Sequence, residues 1–242
     1  DVKDVNRVLK VLAPDYRVAS GAKIVSGFST ESNCMDLHIK ADTVGYKAVD
    51  LIKPDVTMTG DPKRMFMRMD VDRLLYGEDY QLCNVRNELI MGENHLDDRL
   101  SWCNWGDETY SGSLAACVVF QPEYPEGFST RVLLQRGVIV MDDSVWHVDP
   151  STVFMKGKEV EIKDFSVRHG DESFMVTGKI SEDPYETLTV QLENFNLGYL
   201  ARLALKKNMK LFGMTSGSLT LKDYYNDGLL LSDFTVNDWG VG

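Results

Sequence analysis

The stretches IKDFSV (residues 162–167), LENFNL (residues 192–197) and LSDFTV (residues 231–236) share one pattern. Each contains an apolar residue, a polar residue, Asp or Asn, Phe, a polar residue and a second apolar residue. A phrase that recurs in this way is typical of one structural unit stacked on itself. It argues against a single compact catalytic core.

The residues before the second stretch alternate between apolar and polar side chains, as Leu188, Val190 and Leu192 show. This period of two predicts β-strands with one dry face and one wet face. Within each stretch, however, the apolar positions lie three residues apart. The strand would then turn inside out unless it absorbs one extra residue.

A β-bulge at the Asp or Asn absorbs that residue and bends the strand. We therefore predict three strands with a corner at the same place, and hence a strongly curved sheet. The corner motif comprises Asp164, Phe165, Asn194, Phe195, Asp233 and Phe234.

The rest of the chain is rich in short alternating segments separated by turns, which predicts an all-β fold. We expect a long, curved, antiparallel or stacked β-sheet of taco or solenoid type with an apolar inner face. Helical spacing of apolar residues predicts two short helices, at residues 3–13 and near residues 197–207.

The composition narrows the range of partners. The 242 residues carry a formal charge of −11, with 37 acidic and 26 basic residues, and the basic residues are scattered. This argues against a nucleic-acid partner, which needs a basic patch. The chain has no apolar run long enough to cross a bilayer and no signal peptide. The sequence begins and stops abruptly beside predicted secondary structure, so we expect it to be a segment of a longer protein.

The sequence contains no motif that carries known chemistry. It has no nucleophile elbow, phosphate loop or zinc-protease signature, and none of its four cysteines lies in a Cys-x-x-Cys pair. We predict no catalytic residue, metal or cofactor, and hence a protein that is not an enzyme. No pair of carboxylates stands out as the acid and base that glycoside hydrolysis needs. A carbohydrate-active β-solenoid is nevertheless kept as an alternative hypothesis.

A bent sheet with an apolar inner face has two possible outcomes. The face closes on itself as a filled core, or it stays open as a trough whose exposed apolar surface indicates a binding site. A trough would suit acyl chains, since each buried methylene contributes roughly 0.8 kcal/mol. The groove candidates are Leu114, Ala116, Val118, Phe120, Val132, Leu134, Phe174, Val176, Leu188, Val190 and Leu192.

From residue 111 to residue 242 the chain resembles the TamB family, within the AsmA-like group. A strand, an Asn/Asp-Phe turn, a helix and a glycine-bounded restart follow one another in the order seen in that family. Residues 1–110 fit the same style more loosely. The resemblance rests on YSGSL (110–114), VIVMDDSVWHVDP (138–150), FMVTGKISEDP (174–184), LTVQLENFNL (188–197) and GMTSG (213–217).

The resemblance implies one continuous β segment over residues 1–242, excised from a longer chain. It implies a periplasmic location, with the parent chain anchored in the inner membrane of a Gram-negative bacterium. It also implies a role in cell-envelope biogenesis: transport of phospholipid toward the outer membrane. The alternative is a scaffold for outer-membrane β-barrel assembly or secretion, which would bind a client strand at a sheet edge.

Overall fold

A computed structural model describes residues 15–19, 22–77, 80–104, 110–123, 127–141, 143–199 and 211–241. These residues form 19 β-strands, and all of the strand pairs with an assigned register are antiparallel. The predicted all-β fold class is confirmed. The chain divides into two compact units: unit 1 runs to Ala115 and includes Val140–Asp143, and unit 2 comprises Ala116–Ile139 and Ser144 onward.

Unit 1 is built on a run of six antiparallel strands in the order β2–β3–β6–β7–β8–β9. Strand β5 pairs with the second half of β7, β4 pairs with β5, and β1 pairs with β4. The strands are β1 (Tyr16–Val18), β2 (Lys23–Ser29), β3 (Cys34–Lys40), β4 (Thr43–Tyr46), β5 (Val49–Ile52), β6 (Asp55–Asp61), β7 (Arg64–Tyr76), β8 (Tyr80–Met91) and β9 (His95–Asn104).

Strand β10 (Tyr110–Glu123) contains the division between the units. From Ala116 onward, unit 2 continues in the order β10–β11–β14–β15–β16–β17–β18–β19, with β13 beside the end of β15. Its strands are β11 (Gly127–Leu134), β12 (Gly137–Met141), β13 (Ser144–Val148), β14 (Ser151–Lys156), β15 (Glu159–His169), β16 (Glu172–Ile180), β17 (Thr187–Asn196), β18 (Leu211–Lys222) and β19 (Leu229–Val241).

The first predicted corner, in β15, is confirmed. The step from Ile162 to Phe165 spans three residues, while the partner strand advances only from Gly178 to Val176. The extra residue is absorbed at Asp164, whose φ of +53° lies in the left-handed region. Asp and Asn tolerate this region better than other residues with a side chain.

The second predicted corner, in β17, is confirmed in the same way. The chain advances from Leu192 to Phe195 while β18 moves from Gly217 to Thr215. Asn194 takes a φ of +43°, and its backbone N–H donates a hydrogen bond of 2.9 Å to the hydroxyl of Ser216. The backbone N–H of Asn194, which the bulge removes from the regular strand pairing, therefore keeps a hydrogen-bond acceptor.

The third predicted corner, at Asp233 and Phe234 in β19, is wrong. The pairing runs without a shift from Leu231 opposite Thr220 to Phe234 opposite Gly217. The extra residue of β19 lies farther along the strand, where Asn237 to Gly240 spans three residues while β18 advances by two, from Met214 to Phe212. Because no bulge separates them, Leu231 and Phe234 lie on opposite faces of the sheet, and Leu231 is exposed.

A corner also occurs in β7, where no copy of the phrase predicts it. Strand β7 pairs first with β6 and then with β5, just as the predicted corner strand β15 pairs first with β14 and then with β13. In both places the two shorter strands are separated by a dipeptide that ends in proline, Lys53-Pro54 or Asp149-Pro150. In each unit, therefore, one long bent strand pairs with two successive short strands.

At the unit 2 corner, Asp149 lies between the short strands β13 and β14 and bonds to the bent strand β15. Its backbone N–H donates to the carbonyl of Ser166 at 3.0 Å. Its carboxylate accepts a 2.6 Å bond from the Ser166 hydroxyl and lies 3.1 Å from Nε of Arg168.

The predicted helices lie largely outside the described residues. Residues 3–13 are not described. Residues 197–199 are helical, and the remainder of the second predicted helix, residues 200–207, lies outside the described ranges.

The left-handed conformation at the second corner gives a test. Replacing Asn194 by Gly should leave the free energy of unfolding almost unchanged, because Gly adopts positive φ freely. Replacing it by Val should lower that free energy by about 1–3 kcal/mol, because a β-branched residue is strained there. Urea denaturation followed by far-UV circular dichroism measures both. Equal stabilities of the Gly and Val variants would contradict the corner geometry.

Candidate functional site

The inside of the unit 2 corner is filled by aromatic side chains. Trp146 is fully buried, and its ring lies 5.6 Å from that of Phe195 and 5.3 Å from that of Tyr199. Phe174 joins the cluster 6.2 Å from Phe195, and Phe165 lies 6.3 Å from Phe174. The two confirmed corner phenylalanines therefore pack inside the bend, in the range of ring distances that favours aromatic pairs.

Beyond this cluster, unit 2 carries a continuous apolar surface, which we call the aliphatic face. Cross-strand partners lie on the same face of a sheet, so the registers define rows of neighbours. One row crosses eight strands without a polar side chain. Its members are Val118, Val132, Val153, Ile162, Gly178, Leu188, Leu221 and Leu230.

The registers bring most of the groove candidates onto this face. Further rows join Ala116 to Leu134, Phe120 to Thr130, Val176 to Val190, and Phe174 to Leu192. Leu114 precedes Ala116 by two residues in β10 and falls in unit 1.

The candidates differ in exposure. Leu192 is buried at the corner, whereas Val118, Val132, Val176, Leu188 and Val190 are partly exposed. The aliphatic face is therefore filled at the corner and accessible beyond it.

The opposite side of unit 2 is more polar. Thr189 lies between Thr177 and Thr220, and its hydroxyl is 3.3 Å from that of Thr220. Lys179 lies 3.2 Å from Glu159 and 2.9 Å from Glu186. Apolar side chains such as Leu133 and Phe154 also occur on this side, but they alternate with polar and charged ones along their rows.

Unit 1 repeats this division with a different apolar residue. The side of β2, β3 and β6–β9 that carries its methionines, which we call the methionine face, places Met58 opposite both Leu37 and Met67, and Met65 opposite Met91. It consists of Ile24, Ser26, Phe28, Met35, Leu37, Ile39, Val56, Met58, Gly60, Met65, Met67, Met69, Val71, Val85, Asn87, Leu89, Met91, Leu96, Asp98 and Leu100.

Most side chains of the methionine face are partly exposed, and two are buried. Val71 and Val85, which lie opposite each other where β7 bends, are 3% and 1% exposed. Their sequence neighbours Asp72, Asn84 and Arg86 are exposed. Side chains crowd on the inside of a bend and spread apart on its outside, so the methionine face lies on the inside of the unit 1 corner.

The outer side of unit 1, the charged face, carries paired charges. Asp55 lies 2.7 Å from both His38 and Lys40, and Asp70 lies 2.7 Å from both Arg68 and Arg86. A hydrogen bond from Lys40 lowers the pKa of Asp55, partial burial opposes the shift, and His38 adds to it. Asp70 therefore has two arginine partners, and Asp55 has a lysine and an imidazole.

Comparison of the chain with protein-family models, with curated proteins and with solved structures finds no match. Within the described residues, no three His, Cys, Asp or Glu side chains are grouped as metal ligands. The described ranges also contain no helix of the length and apolarity needed to cross a membrane.

The ion pairs of Asp55 give a prediction for pH. Its folded-state pKa is lowered from the usual 3.8, so its stabilisation is complete above that value and is lost as the pH falls through the lowered pKa. Asp55→Asn should reduce the free energy of unfolding at pH 7 by less than about 1 kcal/mol, because water screens these part-exposed pairs.

The difference between Asp55→Asn and the wild type should shrink once the pH drops below the ordinary aspartate range. Urea denaturation at a series of pH values measures it. A difference that stayed constant, or grew, in acid would contradict the assignment of these ion pairs.

Proposed function

We propose that this chain is a non-enzymatic segment of a cell-envelope protein that carries phospholipid acyl chains between the inner and outer membranes. The observation that carries the proposal is the aliphatic face, an eight-strand row of apolar side chains with partly exposed members. Soluble proteins rarely expose a continuous apolar surface of this extent without a ligand or partner.

Three further features support an acyl chain as that ligand. The rows run across the strands, so they offer a path longer than any single side-chain pocket. The members are aliphatic, and disordered hydrocarbon requires apolar area rather than precisely placed polar partners. The opposite side of the unit is more polar, with the threonine row and the Lys179 ion pairs, so it would remain in water while the aliphatic face is occupied.

The resemblance to the TamB family gives the proposal its cellular setting. In that setting the chain lies in the periplasm, and its parent is anchored in the inner membrane outside this segment. The methionine face of unit 1 would serve the same purpose. The unbranched, flexible thioether side chain of methionine adapts to ligands of irregular shape.

The proposal is tested by native mass spectrometry of the protein after incubation with mixed phospholipids. Val190→Asp should reduce the bound lipid by at least about tenfold, because an unpaired carboxylate against hydrocarbon costs more than the 1.4 kcal/mol that corresponds to that factor. The matched control is Gln191→Asp, which introduces the same charge at the next residue on the polar side.

The control variant should bind lipid like the wild type. Absence of lipid on the wild type, or equal loss in both variants, would contradict the proposal.

One observation favours a second candidate function, the binding of a client strand. Strand β19 is 13 residues long, and among the described strands it pairs only with β18. Leu229, Leu230, Leu231, Phe234 and Val236 are exposed along it. A long apolar strand with a free edge is a template for another strand, such as one from an outer-membrane β-barrel protein during assembly or secretion.

Proline at two adjacent positions tests this second function. Backbone N–H groups of neighbouring strand residues point to opposite edges, so of Ser232→Pro and Asp233→Pro one breaks the pairing with β18 and the other blocks the outer edge. Circular dichroism identifies the variant that keeps its strand content. That variant should no longer capture a urea-unfolded outer-membrane β-barrel protein in a pull-down, yet should still take up lipid. Undiminished capture would overturn the client-strand function.

A further inference from the structure

Asp98 is the one charged residue that the registers place on the methionine face. It lies in β9 opposite Leu89, and Leu96 and Leu100 are its neighbours on the same face. The next residue in its row is Met67, opposite Leu89. Asp98 is partly exposed, so water can reach its carboxylate while the face is bare. Once hydrocarbon covers the face, a carboxylate that loses this water is costly unless a cation neutralises it.

The described residues do not supply a positive charge beside Asp98. The Asp98 carboxylate accepts a hydrogen bond from the side-chain amide of Asn87, which is neutral. No cation within the described part of the chain forms an ion pair with it. By contrast, on the charged face Asp55 pairs with Lys40, and Asp70 pairs with both Arg68 and Arg86.

We propose that Asp98 binds the primary ammonium of a lipid headgroup whose acyl chains lie on the methionine face. This inference rests on the proposed function, and it adds a preference among lipids. The ammonium would neutralise the carboxylate through a charge-assisted hydrogen bond. The apolar side chains around Asp98 require that the cation belong to an amphiphile, whose hydrocarbon covers them.

The same geometry disfavours other headgroups. A quaternary ammonium carries the charge but has no N–H to donate, so it should bind less well than a primary ammonium. A headgroup with a phosphate and no cation would place like charges together, which is repulsive. The expected order is phosphatidylethanolamine, then phosphatidylcholine, then phosphatidylglycerol.

The test is competition among these three lipids. The 242-residue protein is incubated with vesicles that contain equal amounts of the three lipids with identical acyl chains, and the lipid it retains is quantified by mass spectrometry. The wild type should retain phosphatidylethanolamine over phosphatidylglycerol by about two- to fivefold, since one part-exposed ion pair contributes at most about 1 kcal/mol.

Two variants with the same change of charge separate the site from the net charge. Asp98→Asn should bring the ratio close to one, while its amide still accepts the hydrogen bond from Asn87. Asp97→Asn changes the adjacent carboxylate, which lies opposite Ile90 on the charged face, and should leave the ratio as in the wild type. The order of the three lipids on the wild type tests the inference even if Asp98→Asn fails to fold.

A wild-type ratio near one, or an equal fall in both variants, would overturn this inference while leaving the proposed function intact. Retention of no lipid by any of the proteins would overturn both.

Discussion

The structure depends on the two-residue period of the β-strand. A strand can keep one face apolar through a bend only if the bend contains an odd residue. In unit 2 that residue is Asp164 in β15 and Asn194 in β17, both in the left-handed conformation. These two short side chains keep the apolar rows on one face from the corner to the far ends of the strands.

Bending has a second consequence, which is a gradient of burial along each apolar face. At the corner, side chains converge and bury one another, as Trp146, Val148 and Phe195 do in unit 2 and as Val71 and Val85 do in unit 1. Away from the corner the same faces remain partly exposed. Each unit therefore has a small packed region that fixes the bend and a larger apolar surface that is partly exposed. Under the proposed function, this larger surface would hold the ligand.

Part of this arrangement follows from local sequence. The step from Ile162 to Phe165, with Asp between them, predicts its bulge because the information lies within one strand. The same three-residue step occurs in unit 1 from Val71 to Leu74 and from Leu82 to Val85. Neither contains the Phe of the repeated phrase, so a search for the phrase misses them, whereas a search for odd steps around Asp or Asn would find them.

The remainder depends on pairing between strands, which the pattern of one strand does not contain. The step at Leu231 forms no bulge, and β19 instead takes up its extra residue between Asn237 and Gly240, opposite β18. The position of Asp98 on an apolar face, without a cationic partner among the described residues, likewise becomes evident only from the registers, which place it opposite Leu89. Sequence therefore identifies where strands bend and which of their faces is apolar, and the registers identify which side chains become neighbours.

The central claim is that the accessible part of the aliphatic face holds acyl chains. Its most direct test places a photo-crosslinking amino acid at position 190 or at position 189 and exposes each protein to phospholipid. The account predicts lipid adducts from position 190, which lies between Val176 and Leu219, and few from position 189, which lies in the threonine row. Equal capture of lipid at both positions would contradict it.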